Sequence, residues 1–116
     1  MNLHRSRAAT KAAAFVLLAG MLAAATAAMA ADSTPVIIQS FAFSPQDVTV
    51  PVGTAVTWTN RDQEIHQVVS ATKAFRSEAL DTGDTFSYTF TTAGTFQYTC
   101  TLHPHMTGTI HVVAKP

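Results

Sequence analysis

Three side chains with metal-binding chemistry lie close together near the C-terminal end of the chain. They are Cys100, His103 and Met106, each three residues from the next. Thiolate and thioether are soft ligands, and together with imidazole they suit copper. Because positions three apart in a tight turn project to the same side, the spacing predicts that these side chains converge on one point.

A fourth ligand has to come from elsewhere in the chain, and His66 is the best candidate. It lies at the start of a predicted strand, where a strand end can face the turn that follows Cys100. Two histidines and one cysteine in a trigonal plane, with a distant axial methionine, form a type I copper site. We therefore predict one copper ion, cycling between Cu(I) and Cu(II), on four residues: His66, Cys100, His103 and Met106.

Other interpretations fit the same residues less well. Taken singly, Cys100 is typical of a small buried hydrophobic residue, and Met106 of core filler. A zinc site would add cysteine, histidine or carboxylate rather than methionine. A nucleophilic Cys–His pair would need a third group to orient the base, and none is evident. His105 is the main rival ligand, but it breaks the spacing of three. Since a saturated copper leaves no position for substrate, we expect no catalytic residues and no enzyme.

The elements that position these ligands are predicted to be strands. Aromatic and β-branched residues alternate with Thr, Ser and Gln, as in Phe86–Phe90 and Phe96–Cys100. The pattern predicts strands at 35–41, 46–50, 54–60, 65–70, 84–90, 95–100 and 107–114. Short strands separated by regular turn signals predict an all-β fold, a Greek-key β-sandwich of about seven to eight strands. The long connection 71–81 is expected to pack against the sandwich and leaves room for a helical turn near 75–80.

The first thirty residues have the pattern of a secretory signal peptide. Arg5, Arg7 and Lys11 precede an uncharged apolar run, and Ala28-Met29-Ala30 has small residues where cleavage requires them. The run is short for a membrane span, which needs about 20 residues. We predict a cleaved signal peptide at 1–30, a single copper-binding domain at 31–116 without a membrane span, and a periplasmic location.

Composition narrows the possible functions further. Residues 31–116 carry four basic and seven acidic side chains, a formal net charge of −3. This balance lacks the basic face of a nucleic-acid-binding protein, so we expect no nucleic-acid partner. The chain has one cysteine, Cys100, which excludes an internal disulfide. Met106 is the only methionine after position 30.

The chain resembles the cupredoxins, the small blue copper proteins, over nearly all of residues 35–114. The short loop from Cys100 to Met106 is similar to that of the amicyanin-like members in particular, and Val56–Asp62 with His66 looks like the family's upstream ligand strand. The resemblance implies copper ligation through Nδ1 of both histidines, Sγ of the cysteine and Sδ of the methionine. It also implies that His103 lies partly exposed in an apolar patch with Leu102, Pro104 and His105.

The resemblance further implies a diffusible one-electron carrier. We expect a monomer whose redox partners, a donor dehydrogenase or a c-type cytochrome, dock on the patch around His103. The alternative function is periplasmic copper binding or delivery without electron transfer. A third possibility is a structural immunoglobulin-like module with incidental His and Cys.

Two residues depart from the family pattern. Gln67 stands where many members have Asn; either the longer amide joins the two ligand loops through Thr101, or the site is looser. Leu102 stands where proline often precedes the second histidine ligand. Because leucine keeps a backbone N–H that proline lacks, a hydrogen bond from Leu102 to the sulfur of Cys100 is the corresponding hypothesis.

Overall fold

The computed structural model describes residues 33–116, which fold into strands and turns without a helix. Alternating burial marks these strands, with inward aromatic and aliphatic side chains and outward Thr, Ser and Gln. Eight strands follow one another: β1 (Ser33–Gln39), β2 (Ala42–Ser44), β3 (Asp47–Pro51), β4 (Ala55–Asn60), β5 (Val69–Ser70), β6 (Thr85–Thr89), β7 (Gly94–Cys100) and β8 (His103–Val113).

The strands form two four-stranded sheets packed face to face. One sheet has the order β2-β1-β4-β6, and the other has the order β3-β8-β7-β5. β1 pairs with β4 in parallel, as β3 does with β8, and the other pairs are antiparallel. The all-β sandwich expected from the alternating pattern is therefore confirmed.

The core lies between the sheets and is rich in aromatic rings. Trp58 on β4 is fully buried and meets Tyr98 of the opposite sheet edge-on, with ring centroids 5.3 Å apart. Phe75 stacks on Trp58 at 5.7 Å, so the long connection after β5 does pack against the sandwich. Burying such large side chains provides most of the favourable free energy available to a domain of this size.

Three chain segments meet at one end of the sandwich. The end of β4 lies beside the end of β1, because Ile38 pairs with Asn60 in parallel register. The segments at this end are the β1–β2 turn (residues 40–41), the loop after β4 (residues 61–66), and the β7–β8 turn together with the start of β8 (residues 101–106). The ring of Phe41, in the first segment, contacts a histidine in each of the other two.

Several predicted boundaries were wrong. The predicted strand 65–70 is reduced to the two residues of β5, although His66 forms an isolated bridge with Leu80. β2 was not predicted, β8 begins at His103 rather than at 107, and residues 75–80 form no helical turn. The predicted signal peptide lies outside the described residues. Among residues 33–116, no helix is long and apolar enough to cross a membrane.

Candidate metal centre

Cys100 and His103 face each other across a tight hairpin turn. β7 ends at Cys100, β8 begins at His103, and the two residues are cross-strand partners. Partners in an antiparallel pair project to the same face of a sheet, so Sγ of Cys100 lies 3.7 Å from Nδ1 of His103. The predicted convergence of these two side chains is confirmed, but its cause is a β-hairpin and not a helical turn.

Met106 reaches the interior because the β7–β8 pairing is irregular. Thr99 pairs with Thr107, whereas the next residue of β7, Cys100, pairs with His103. Residues 104–106 are therefore left without partners on β7 and form a bulge. Met106 is 2% exposed and continues the inward phase of Gly108 and Ile110, which places it close to the other three predicted ligands.

His66 enters the same site from the loop after β4. Its backbone is held by two hydrogen bonds to Leu80, N to O at 3.1 Å and O to N at 2.7 Å. The side chain is fully buried, and its Nδ1 lies 3.8 Å from Sγ of Cys100. The candidate ligand atoms of His66, Cys100 and His103 all lie within 4.8 Å of one another.

The carboxylate of Asp62 fixes the orientation of the His66 ring. Oδ2 lies 2.8 Å from His66 Nε2. An ionised carboxylate only accepts hydrogen bonds, so Nε2 carries the proton and the lone pair of Nδ1 points toward Cys100. Burial on its own raises the pKa of Asp62, but backbone hydrogen bonds from Phe41 and Ser40, together with His66, hold it below its ordinary value of 3.8.

The same carboxylate holds the β1–β2 turn. Ser40 N donates to Oδ1 at 2.6 Å and Phe41 N donates to Oδ2 at 2.9 Å. Both residues have the left-handed conformation, with φ of 54° and 56°. The Asp62 backbone is held in turn, since its N–H donates to Asn60 Oδ1 at 2.8 Å. Asp62 was not identified from the sequence, although its position four residues before His66 was visible there.

Gln67 connects the two ligand loops. Its backbone N–H donates to Sγ of Cys100 at 3.3 Å. Its side chain accepts a hydrogen bond from Thr101 Oγ1, which favours the first of the two alternatives for Gln67. Its Nε2 also donates to the carbonyl of Ser77 at 2.9 Å. Among the described residues, the sulfur's backbone hydrogen bond thus comes from Gln67, and the structure gives no support to the predicted donation from Leu102.

The donor atoms fit a trigonal metal site. A metal–sulfur bond of about 2.3 Å and a metal–nitrogen bond of about 2.0–2.1 Å, as at protein zinc sites, place the two donor atoms about 3.8 Å apart when the angle between the bonds is about 120°. The two N–S distances here are 3.8 and 3.7 Å. His105 is exposed and does not belong to this group of donor atoms.

Three exposed apolar side chains lie in the segments at this end of the sandwich, where His103 is half-buried. Leu102 is 54% exposed and Ile65 is 44% exposed, in the two loops that carry the histidines. Phe41, 42% exposed, adds an aromatic ring from the third segment. Scattered single apolar residues are ordinary on a surface, whereas exposed apolar residues grouped at one end are typical of contact surfaces.

The sequence and the structure both match known copper proteins. Residues 12–112 match the profile of the cupredoxin-like domain family. Amicyanin-alpha from Methylorubrum extorquens is 37% identical over 101 residues, which cover 83% of this chain and 84% of the relative.

Solved structures agree with this relationship. An amicyanin variant with Cu(I) superposes with a TM-score of 0.65 at 32% identity, over 69% of this chain and 81% of the other. A purple cupredoxin from Nitrosopumilus maritimus superposes with a TM-score of 0.64 at 33% identity, over 68% of this chain and 98% of the other.

Proposed function

The chain belongs to the cupredoxin family, and on that premise we propose that its copper ion is held by four side chains: His66, Cys100, His103 and Met106. The protein is a type I copper protein that carries single electrons and is not an enzyme. The observation that carries the ligand assignment is the pair of N–S distances, 3.8 and 3.7 Å, around one buried thiol. Nδ1 of each histidine, Sγ of the cysteine and Sδ of the methionine would hold the copper, a donor set typical of type I sites.

The surrounding residues prepare these ligands before metal arrives. Copper, when bound, supplies the reversible one-electron chemistry. Asp62 holds His66 in the tautomer that presents Nδ1, and Gln67 N–H donates to the thiolate sulfur, which withdraws electron density from it. Ligands fixed in this way need little rearrangement when an electron is gained or lost, which favours rapid transfer.

The surface and the N-terminal sequence support a proposal for the partners and the location. The apolar side chains around His103 support docking of other redox proteins, and a donor dehydrogenase or a c-type cytochrome is the class we propose. The pattern of Arg5 to Ala30 supports export, cleavage after Ala30 and a periplasmic location. We propose a monomer, because electron carriers that exchange partners use small, transient contacts.

Spectroscopy of the copper-loaded protein tests the ligand assignment. We expect an intense thiolate-to-copper band in the visible spectrum and the EPR signature of a type I site. Cys100→Ala should abolish the band, and His103→Ala should shift the band or abolish it. His105→Ala is the matched control, and it should leave the spectrum unchanged.

Redox cycling and copper transfer to a chelator, both measured on the copper-loaded protein, distinguish electron transfer from copper delivery. Electron carriage predicts reversible oxidation and reduction with the metal retained. Because His66 and Cys100 are fully buried, metal release requires the site to open, so transfer to a chelator should be slow. Rapid copper transfer without reversible cycling would favour delivery. A His105→Ala variant that loses the band would refute the proposed ligand set.

A further inference from the structure

Phe41 is an exposed aromatic residue in an unfavourable backbone conformation. Both Ser40 and Phe41 adopt left-handed φ values, which residues with a Cβ rarely do. Such conformations persist where the surroundings enforce them, and they are concentrated at functional sites. Burial does not explain the placement of this ring, because it is 42% exposed.

Asp62 enforces the conformation and ties it to the metal site. Its carboxylate accepts both amides of the turn, at 2.6 Å from Ser40 and 2.9 Å from Phe41. The oxygen that accepts from Phe41 also lies 2.8 Å from Nε2 of His66. The position of Phe41 is therefore set relative to the buried histidine.

The ring of Phe41 touches both candidate histidine ligands. Its centroid lies 5.4 Å from that of His66 and 4.9 Å from that of His103, with interplanar angles of 81° and 83°. These are favourable edge-to-face contacts. His66 has no exposed surface of its own, so Phe41 is an exposed group in direct contact with it. Phe41 also borders an open cleft that is lined by Met106.

We propose that Phe41 is an electron-transfer contact residue, through which a docked redox protein reaches His66 as well as His103. The inference rests on the proposed docking of redox partners at this end of the sandwich. The matching partner surface is apolar, with the edge of its cofactor exposed, because Leu102 and Ile65 are exposed large apolar residues in the other two segments at this end of the sandwich. The exposed ring of Phe41 thus connects the contact surface to the buried His66 as well as to the half-buried His103.

Electron self-exchange between oxidised and reduced copies of the copper-loaded protein tests this role. One electron passes from the reduced copy to the oxidised copy, so reactants and products are the same and the driving force is zero. NMR line broadening in mixtures of the two forms gives the rate. Phe41→Leu keeps the patch apolar but removes the ring, and Phe41→Tyr restores a ring. Val113→Ala, an exposed apolar residue at the other end of β8, is the control.

We expect Phe41→Leu to slow self-exchange about fivefold to tenfold, as expected for losing aromatic contacts in the transition state. The visible spectrum and reduction potential should stay unchanged, and Phe41→Tyr and Val113→Ala should exchange at the wild-type rate. A Phe41→Leu rate within about twofold of wild type overturns the proposal. A changed spectrum or potential in Phe41→Leu also overturns it, because the ring would then act by positioning the ligands. Failure of the wild-type protein to exchange electrons at all would instead contradict the proposed docking function.

Discussion

Replacing Asp62 with asparagine tests how much of the site is prepared by residues that do not bind the metal. The carboxylate accepts three hydrogen bonds, from Ser40 N, Phe41 N and His66 Nε2. An asparagine amide has one acceptor oxygen and brings two N–H donors. If its oxygen takes the place of Oδ2, its NH₂ group faces the N–H of Ser40. In the opposite orientation, the NH₂ group faces the other two donors.

At least one hydrogen bond to a charged acceptor is therefore lost in Asp62→Asn, and the remaining ones lose their charge. A hydrogen bond to a charged group contributes about 1.5–3 kcal/mol, so we expect the copper-free protein to lose about 2–3 kcal/mol of stability. That is a large share of the roughly 5–15 kcal/mol that holds a domain folded. Loss of the partner that orients His66 should also weaken copper binding about 10–100-fold. Removing a negative charge beside the site should raise the reduction potential, because the more highly charged Cu(II) is then less favoured.

Urea denaturation of the copper-free protein measures the first effect, and competition with a copper chelator measures the second. Asp47→Asn is the matched control. Asp47 is exposed on β3, so this substitution removes the same charge at a distance from the β1–β2 turn. The reasoning is refuted if Asp62→Asn unfolds within about 0.5 kcal/mol of wild type, the range of ordinary surface substitutions. It is also refuted if Asp47→Asn destabilises the protein as much.

Three further predictions follow from other contacts. The pKa of Asp62 is held below 3.8 in the folded state. Its contribution to stability is therefore complete above pH 3.8 and is lost as the pH falls through the folded pKa. In urea titrations below pH 3.8, the stability difference between wild type and Asp62→Asn should shrink. A Cβ at Gly108 would lie 2.4 Å from the Tyr98 ring, so Gly108→Ala should cost about 1–3 kcal/mol by thermal unfolding, whereas the exposed neighbour Thr107→Ala should cost far less. Gln67→Ala removes the side-chain links to Thr101 and Ser77 but keeps the backbone donor to the sulfur of Cys100. The thiolate-to-copper band should therefore persist while copper dissociates several-fold faster. An unchanged dissociation rate would show that these links do not hold the loops together.

The sequence was most informative where side-chain type and periodicity coincide. Alternation along Phe96–Cys100 predicted both the strand β7 and the inward direction of the cysteine. The predicted strand at 65–70 failed for a chemical reason. The amide of Gln67 donates to the sulfur of Cys100, and the backbone of His66 pairs with Leu80, so this stretch does not extend the ladder that β5 forms with β7.

Features that depend on contacts between distant segments could not be read from the sequence. Phe41 and Asp62 lie in turns, where periodicity carries no information, and they are 21 residues apart in the chain. Their relationship exists only because β1 and β4 end side by side in parallel register. The three-residue β2 is too short to produce an alternating pattern, and it pairs with β1 after a turn that is held by Asp62.

The irregular pairing between β7 and β8 explains how one short hairpin carries three of the proposed ligands. Without the bulge, the register of Thr99 with Thr107 would place Cys100 opposite Met106, and His103 would have no defined partner. The shift instead pairs Cys100 with His103, while Met106 keeps the inward phase of β8. The imidazole of His103 and the thioether of Met106 are three positions apart in the chain. In a regular strand an odd offset would place them on opposite faces, but the bulge lets both approach the same thiol. The ligand spacing is thus a property of the bulge, whose other two residues, Pro104 and His105, are exposed to solvent.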